Sequence, residues 1–265
     1  MRSRSRVATG VAVVLAVAVP AFVLRGALLD GDAAPGVRPN ASGVAVTSPR
    51  SVPLSNAARN VIPEDASTIA TARKRSVLVY ARPGGDKGPK RVRARSVEGQ
   101  PIPLTFLVRR RVKGWVKVDL PTRPNKSRGW VRRGDVDLSF TRLRLEIRTK
   151  QHRVRLLDGS RVVSSARIAV GRALSPTPPG RYFVTDIIRS KDPKGLYGPY
   201  ALGVSAHSTV YTSFAGGNGQ VGLHGTNRPS VLGRDVSAGC VRVRNDVIRR
   251  LARRVPLGTP VIISS

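Results

Sequence analysis

Between Ser76 and Leu138 apolar and polar residues alternate over short runs, and Gly, Pro and Asn separate one run from the next. Two of the runs, Trp115-Val116-Lys117-Val118 and Trp130-Val131, begin directly after a glycine. A period of two with turn residues between the runs predicts short strands closing a small barrel, with Trp115 and Trp130 as its core anchors. The alternation continues beyond Thr141: Leu143, Leu145 and Ile147 are spaced by Arg144 and Glu146, and Val154 and Leu156 begin a second run. Asp158-Gly159, ahead of a third run through Val162-Val163 to Val170, predicts a hairpin. Pro178, Pro179 and Gly180 then turn the chain into a strand from Arg181 to Ile188. The period changes once. Val247, Ile248, Leu251 and Val255 have helical spacing, which predicts a helix over Asp246–Val255 with Asn245 as N-cap, ended by Gly258 and Pro260 before a last strand at Val261–Ile263. The expected fold class is mainly β, a small barrel followed by a mostly antiparallel β-rich domain with one short helix.

The pattern is absent from the first part of the chain. Arg2, Arg4 and Arg6 precede an uncharged, mostly apolar run from Val7 to Leu24, so residues 1–27 are expected to be a signal peptide or an N-terminal membrane anchor. Pro20 and several small residues weaken the anchor, and the lack of a clear Ala-x-Ala site weakens cleavage. Residues 28–73, rich in Ala, Ser, Pro, Gly and Asn, are expected to be a flexible linker. That leaves a β module at 74–140 and a second domain at 141–265, on the outer side of the membrane, secreted or anchored.

Charge narrows the partners. Lys and Arg number 47 against 15 Asp and Glu, a net charge of +32 distributed along the chain. Such a surface suits an anionic surrounding, either acidic cell-wall polymer or anionic lipid. Aromatic residues make up 5% of the chain and form no stacking platform, so nucleic acid is not an expected partner.

Cys240 is the only cysteine, which excludes an internal disulfide and a cysteine-rich zinc site; no metal or organic cofactor is expected. A lone cysteine is either a small buried hydrophobe or a nucleophile. The glycine-rich setting Ser-Ala-Gly-Cys-Val-Arg favours the nucleophile, and His224, sixteen residues upstream, is a candidate base.

Four blocks set these residues in a wider pattern: Thr177–Val184 (TPPGRYFV), Tyr197–Ser208 (YGPYALGVSAHS), Val221–Pro229 (VGLHGTNRP) and Ser237–Val243 (SAGCVRV). In this order they resemble the L,D-transpeptidase (YkuD-type) catalytic domain over roughly Thr141–Ser265. The repeated Gly-Trp-Val of the preceding module resembles bacterial SH3-like modules. The resemblance implies peptidoglycan cross-linking. A donor stem peptide acylates the cysteine with loss of D-alanine, and the side-chain amine of an acceptor stem resolves the thioester into a 3→3 cross-link. The same acyl-enzyme would also serve an L,D-carboxypeptidase or the attachment of a protein to peptidoglycan, and a non-catalytic wall-binding protein is the alternative of a different class. Sortases place His and Cys farther apart, and other wall peptidases place Cys before His. A monomer is expected.

Matched residue by residue, Cys240 is the nucleophile and His224 its base, oriented by the Gly225 carbonyl. Arg242 shares the Cys240 face of a strand and is expected to favour the thiolate or hold a substrate carboxylate. The N–H groups of Ala238, Gly239 and Cys240 are the expected oxyanion donors, Gly239 permits the turn, and the Ser237 hydroxyl either orients the loop or bonds locally. Tyr197, Tyr200, Asn227 and Arg228 are candidate substrate contacts. Many family members carry a second histidine where this chain has Ala238. His207 and His152 are read as structural and surface residues.

Overall fold

The computed structural model describes residues 43–45, 51–53, 63–85, 88–97, 100–213 and 217–265. The expected signal or anchor and most of the expected linker lie outside them. Among the described residues no helix is long and apolar enough to cross a membrane.

The first half of the chain supplies β1 (Gly43–Ala45), β2 (Val52–Pro53), β3 (Ser67–Ala72), β4 (Ser76–Val79), β5 (Lys90–Arg93), β6 (Ser96–Val97), β7 (Gln100–Pro101), β8 (Thr105–Val112), β9 (Trp115–Asp119), β10 (Arg128–Arg132) and β11 (Val136–Thr141). Six of them form one sheet in the order β10-β9-β8-β3-β11-β2, while β4 pairs with β5 and β6 with β7. Alternate residues Val116 and Val118, Val77 and Val79, and Val136 and Leu138 meet over Phe106 and Ala70 in a core of their own.

Two expectations change here. Ser67–Ala72, placed in the linker by its composition, is β3, paired with β8 on one side and β11 on the other, with Ile69 and Ala70 fully enclosed. A strand at the centre of a sheet needs little side-chain volume, so Ser, Thr and Ala serve there although they also mark linkers. The two tryptophans also part company. Trp130 is buried, whereas the half-buried Trp115 stands edge-on to Tyr80, 5.0 Å between centroids, with the Arg132 guanidinium over its ring.

The second half supplies β12 (Leu143–Arg148), β13 (Arg153–Asp158), β14 (Arg161–Gly171), β15 (Gly180–Ser190), β16 (Tyr200–His207), β17 (Gln220–His224), β18 (Asp235–Ser237), β19 (Val241–Val243), the helix α1 (Asn245–Arg254) and β20 (Pro260–Ser264). Their order is β15-β16-β17-β19-β14-β13-β12-β20, and β20 also pairs with β15, so the sheet closes on itself. Most neighbours are antiparallel, including the β13–β14 hairpin at Gly159. The pairs β12–β20, β14–β18 and β17–β19 run parallel.

The helix buries Val247, Ile248, Leu251 and Ala252 against the large core. Each large aliphatic side chain there contributes about 1.5–3 kcal/mol by leaving water. Asn245 does not cap it. The cap position is Arg244, with no side-chain cap bond, and Asn245 Oδ1 instead accepts the Thr226 N–H at 2.8 Å, tying the helix start to the chain beyond β17.

Polar contacts join the two sheets. Asn125, on the β9–β10 loop, accepts the His207 N–H and donates to the His207 carbonyl, at 2.8 and 2.7 Å. Arg123 donates to the carbonyls of Ser208 and Tyr211 at 2.8 and 2.7 Å.

Candidate active site

The site is built where β17 lies parallel to β19, with Leu223 beside Val241 and His224 beside Arg242. The same register carried back brings Gly222 to Cys240, and the Gly222 N–H donates to Cys240 Sγ at 3.4 Å. Because side chains alternate along a strand, His224 and Cys240 face one way. They line one narrow cavity of about 60 Å³ together with Tyr197, Gly203, Ala238 and Gly239.

His224 is fully enclosed, and its Nδ1 lies 2.6 Å from the Gly225 carbonyl oxygen. A carbonyl only accepts, so Nδ1 carries the hydrogen and Nε2 keeps the lone pair. Burial holds the imidazole down to about 4, with the Gly225 carbonyl acting in the opposite sense. The Tyr197 ring, 4.8 Å away and tilted by 58°, fixes the ring plane from the cavity side. Burial also raises the Cys240 thiol, and the Gly222 N–H is the group that opposes the rise. The resting pair is therefore a neutral thiol beside a neutral imidazole.

Residues 238–240 connect β18 to β19 through a turn in which Gly239 has φ +122°. A Cβ there would have room, with nothing nearer than 3.7 Å, so the dihedral itself calls for glycine. Each carbonyl of the turn meets a hydroxyl. Ser175 donates to Ala238 at 2.7 Å, Thr177 to Gly239 at 3.0 Å and Ser237 to Cys240 at 2.5 Å. All three side chains are buried.

Several expected roles change. The Gly239 N–H donates to Ser237 Oγ at 3.0 Å, so it is withdrawn from the oxyanion set, and Ser237 is a brace of the turn. Arg242, beside His224 in the β17–β19 register, is 3% exposed and is not among the residues lining the cavity. The Gly222 N–H is a group that lowers the Cys240 thiol. Of the four candidate substrate contacts only Tyr197 lines the cavity. Tyr200 packs on the large core and lines a separate groove with Arg249 and Arg253, while its carbonyl accepts the Gly225 N–H at 3.2 Å. Asn227 and Arg228 are exposed, carried outward where β17 ends and Pro229 opens a single 3-10 turn.

His207 is enclosed between the two sheets, and its Nε2 lies 3.2 Å from Asn218 Nδ2. His152, at φ +46°, holds Asp235 at 2.7 Å. Sequence reasoning missed Ser175 and Thr177, which lie in or beside the TPPG block but act across some sixty residues. It also missed Asp186, a buried carboxylate on the cavity wall bound by Thr185, Arg95 and Gln220. Among the described residues no cluster of His, Cys, Asp and Glu is placed to hold a metal ion.

Comparison with known proteins agrees with this geometry. Residues 142–263 match the YkuD family, described as the L,D-transpeptidase catalytic domain. Residues 142–263 are a YkuD-type L,D-transpeptidase catalytic domain. The putative L,D-transpeptidase YkuD of Bacillus licheniformis is 35% identical over 121 residues, 46% of this chain and 65% of that protein. Its namesake in Bacillus subtilis is 37% identical over 105 residues, 40% of this chain and 56% of that protein. The chain thus spans less than two thirds of these curated relatives. A solved L,D-transpeptidase from Mycobacterium smegmatis is 12% identical, covering 74% of this chain and 99% of its own, with a TM-score of 0.38. The YkuD-type domain comprises β12 to β20 with α1, and the sheet before it lies outside the family match.

Proposed function

We propose that this protein cross-links peptidoglycan stem peptides at the cell wall through a thioester on Cys240. The single observation that supports it most is the β17–β19 register within the family-matched domain, which sets the thiol and a correctly tautomerised imidazole on one cavity wall.

In the first half-reaction the thiol proton passes to His224 Nε2 as Sγ bonds to the carbonyl carbon of the donor stem's third residue. With the Gly239 N–H engaged by Ser237, the Cys240 N–H is the turn donor assigned to the developing oxyanion. Collapse breaks the bond to D-alanine, whose nitrogen takes the proton from the imidazolium. In the second half-reaction the side-chain amine of the acceptor stem attacks the thioester. A C–N bond forms, the C–S bond breaks and the proton returns to sulphur.

Incubating the protein with two soluble stem tetrapeptides and resolving the products by mass spectrometry tests this reading. A 3→3 dimer with stoichiometric D-alanine is expected. Tripeptide and D-alanine without dimer would assign water as the acceptor, and no D-alanine at all would remove the enzymatic reading.

A further inference from the structure

The cavity at Cys240 is narrow, about 60 Å³. A second cavity of about 340 Å³ opens beside it, between the N-terminal sheet and the YkuD-type domain. Asp186, Asn218 and Gln220 belong to the walls of both.

The wall of the second cavity is cationic. Arg91, Arg93 and Arg95 stand at alternate positions along β5 and its continuation, so their side chains leave the backbone on one face. Arg91 and Arg93 are exposed, whereas Arg95 is engaged by Asp186 at 3.3 Å and by the side-chain amide oxygen Oε1 of Gln220. Asp186 is the one carboxylate of this wall and is already paired, so the cavity keeps a positive surplus. His207, also on the wall, records the same field: burial first, then the Arg123 and Arg95 cations, hold it down to about 4. Ile102, Pro103 and Leu104 supply an apolar side, and next to them the buried Thr105 hydroxyl has no hydrogen-bond partner among the described residues.

We infer that this cavity binds the carboxylate-bearing acceptor strand, with Arg91 and Arg93 taking the carboxylates and the shared wall leading its amine toward Cys240. The inference rests on the acyl-transfer reading above. It gives the first half of the chain a direct part in substrate selection, since β5, paired with β4, contributes the cations that the family-matched domain lacks at this wall.

The test uses the full chain acylated at Cys240 by a carbapenem, so that the smaller cavity is filled. This protein is titrated with a soluble stem tetrapeptide bearing free carboxylates. Saturable binding is expected, weakened at least tenfold in the double variant Arg91→Gln/Arg93→Gln and weakened likewise when the peptide carboxylates are amidated. Arg249→Gln/Arg253→Gln, on the remote groove, serves as the charge control and is expected to bind as the parent does. No binding by the parent, or equal affinity in the Arg91/Arg93 variant, overturns the proposal while leaving the acyl-transfer reading intact. Should no adduct form on the parent, that reading fails, and the same titration on Cys240→Ala decides the cavity independently. A poly(glycerol phosphate) chain is the competing anion, and if it alone binds with this arginine dependence, the peptide assignment is wrong.

Discussion

Thr177 Oγ1 donates to the Gly239 carbonyl at 3.0 Å while accepting the Gly171 N–H at 2.9 Å. A trans peptide sets its C=O and the following N–H in opposite directions, so holding the Gly239 carbonyl aims the Cys240 N–H away from Thr177. Ser175 and Ser237 do the same for the peptides on either side. The turn at Cys240 is thus oriented by three side-chain hydroxyls.

Thr177→Val keeps the shape and removes this bond, leaving a buried carbonyl and a buried N–H without their partner. It is expected to destabilise the protein by about 1–3 kcal/mol and to slow Cys240 acylation, while Thr177→Ser restores both. Urea unfolding and acylation kinetics on the two variants check it. Equal acylation rates in Thr177→Val and the parent would show that the turn does not need the brace.

Gly239→Ala places a Cβ at φ +122° in open space, so strain and not collision is the cost, about 1–3 kcal/mol. The turn is expected to relax by rotating its peptides, which moves the Cys240 N–H. Acylation should fall far more than stability does, which stopped-flow and thermal unfolding compared on one preparation will show.

The buried histidines make stability depend on pH. His224 and His207 are each held down to about 4 from an ordinary value near 6.5, so between those limits the unfolded chain binds protons that the folded one refuses. Their contribution is fully present above about 6.5 and is lost as pH falls toward about 4. Urea midpoints should therefore fall from pH 7 to pH 4, with a smaller fall in His207→Gln. Acylation should stay flat from pH 7 down to about 5 and drop near 4, where the base becomes protonated.

Asn125→Ala removes both bonds between the β9–β10 loop and His207. The two sheets are expected to unfold less cooperatively, seen as a broadened or split transition in calorimetry. An unchanged single transition would show that Asn125 does not couple them.

Much of the fold was legible because alternation reports strands directly. The strands β12, β13 and β14 and the helix face of Val247, Ile248 and Leu251 follow from periodicity, and the β13–β14 hairpin from Asp158-Gly159. β3 was hidden because Ser, Thr and Ala satisfy a sheet centre as well as they satisfy a linker. At the site, Cys240 and His224 were visible as residue types, but their meeting depends on a parallel pairing that no local pattern announces. Asn227 and Arg228, close in sequence to His224, stand off the cavity wall, for the chain leaves the sheet immediately after His224. Ser175, Thr177 and Asp186 act through contacts formed only on folding, so nothing near them in the chain marks their use.

The central claim is that His224 activates the Cys240 thiol for acyl transfer, and intact-mass kinetics with a carbapenem under reducing conditions tests it most directly. One adduct per chain is expected on the parent, none on Cys240→Ala, and a rate lowered by two orders of magnitude or more, on the order of the 10²–10⁴ that a general base supplies, on His224→Ala. An adduct on Cys240→Ala, or an undiminished rate in His224→Ala, would contradict it.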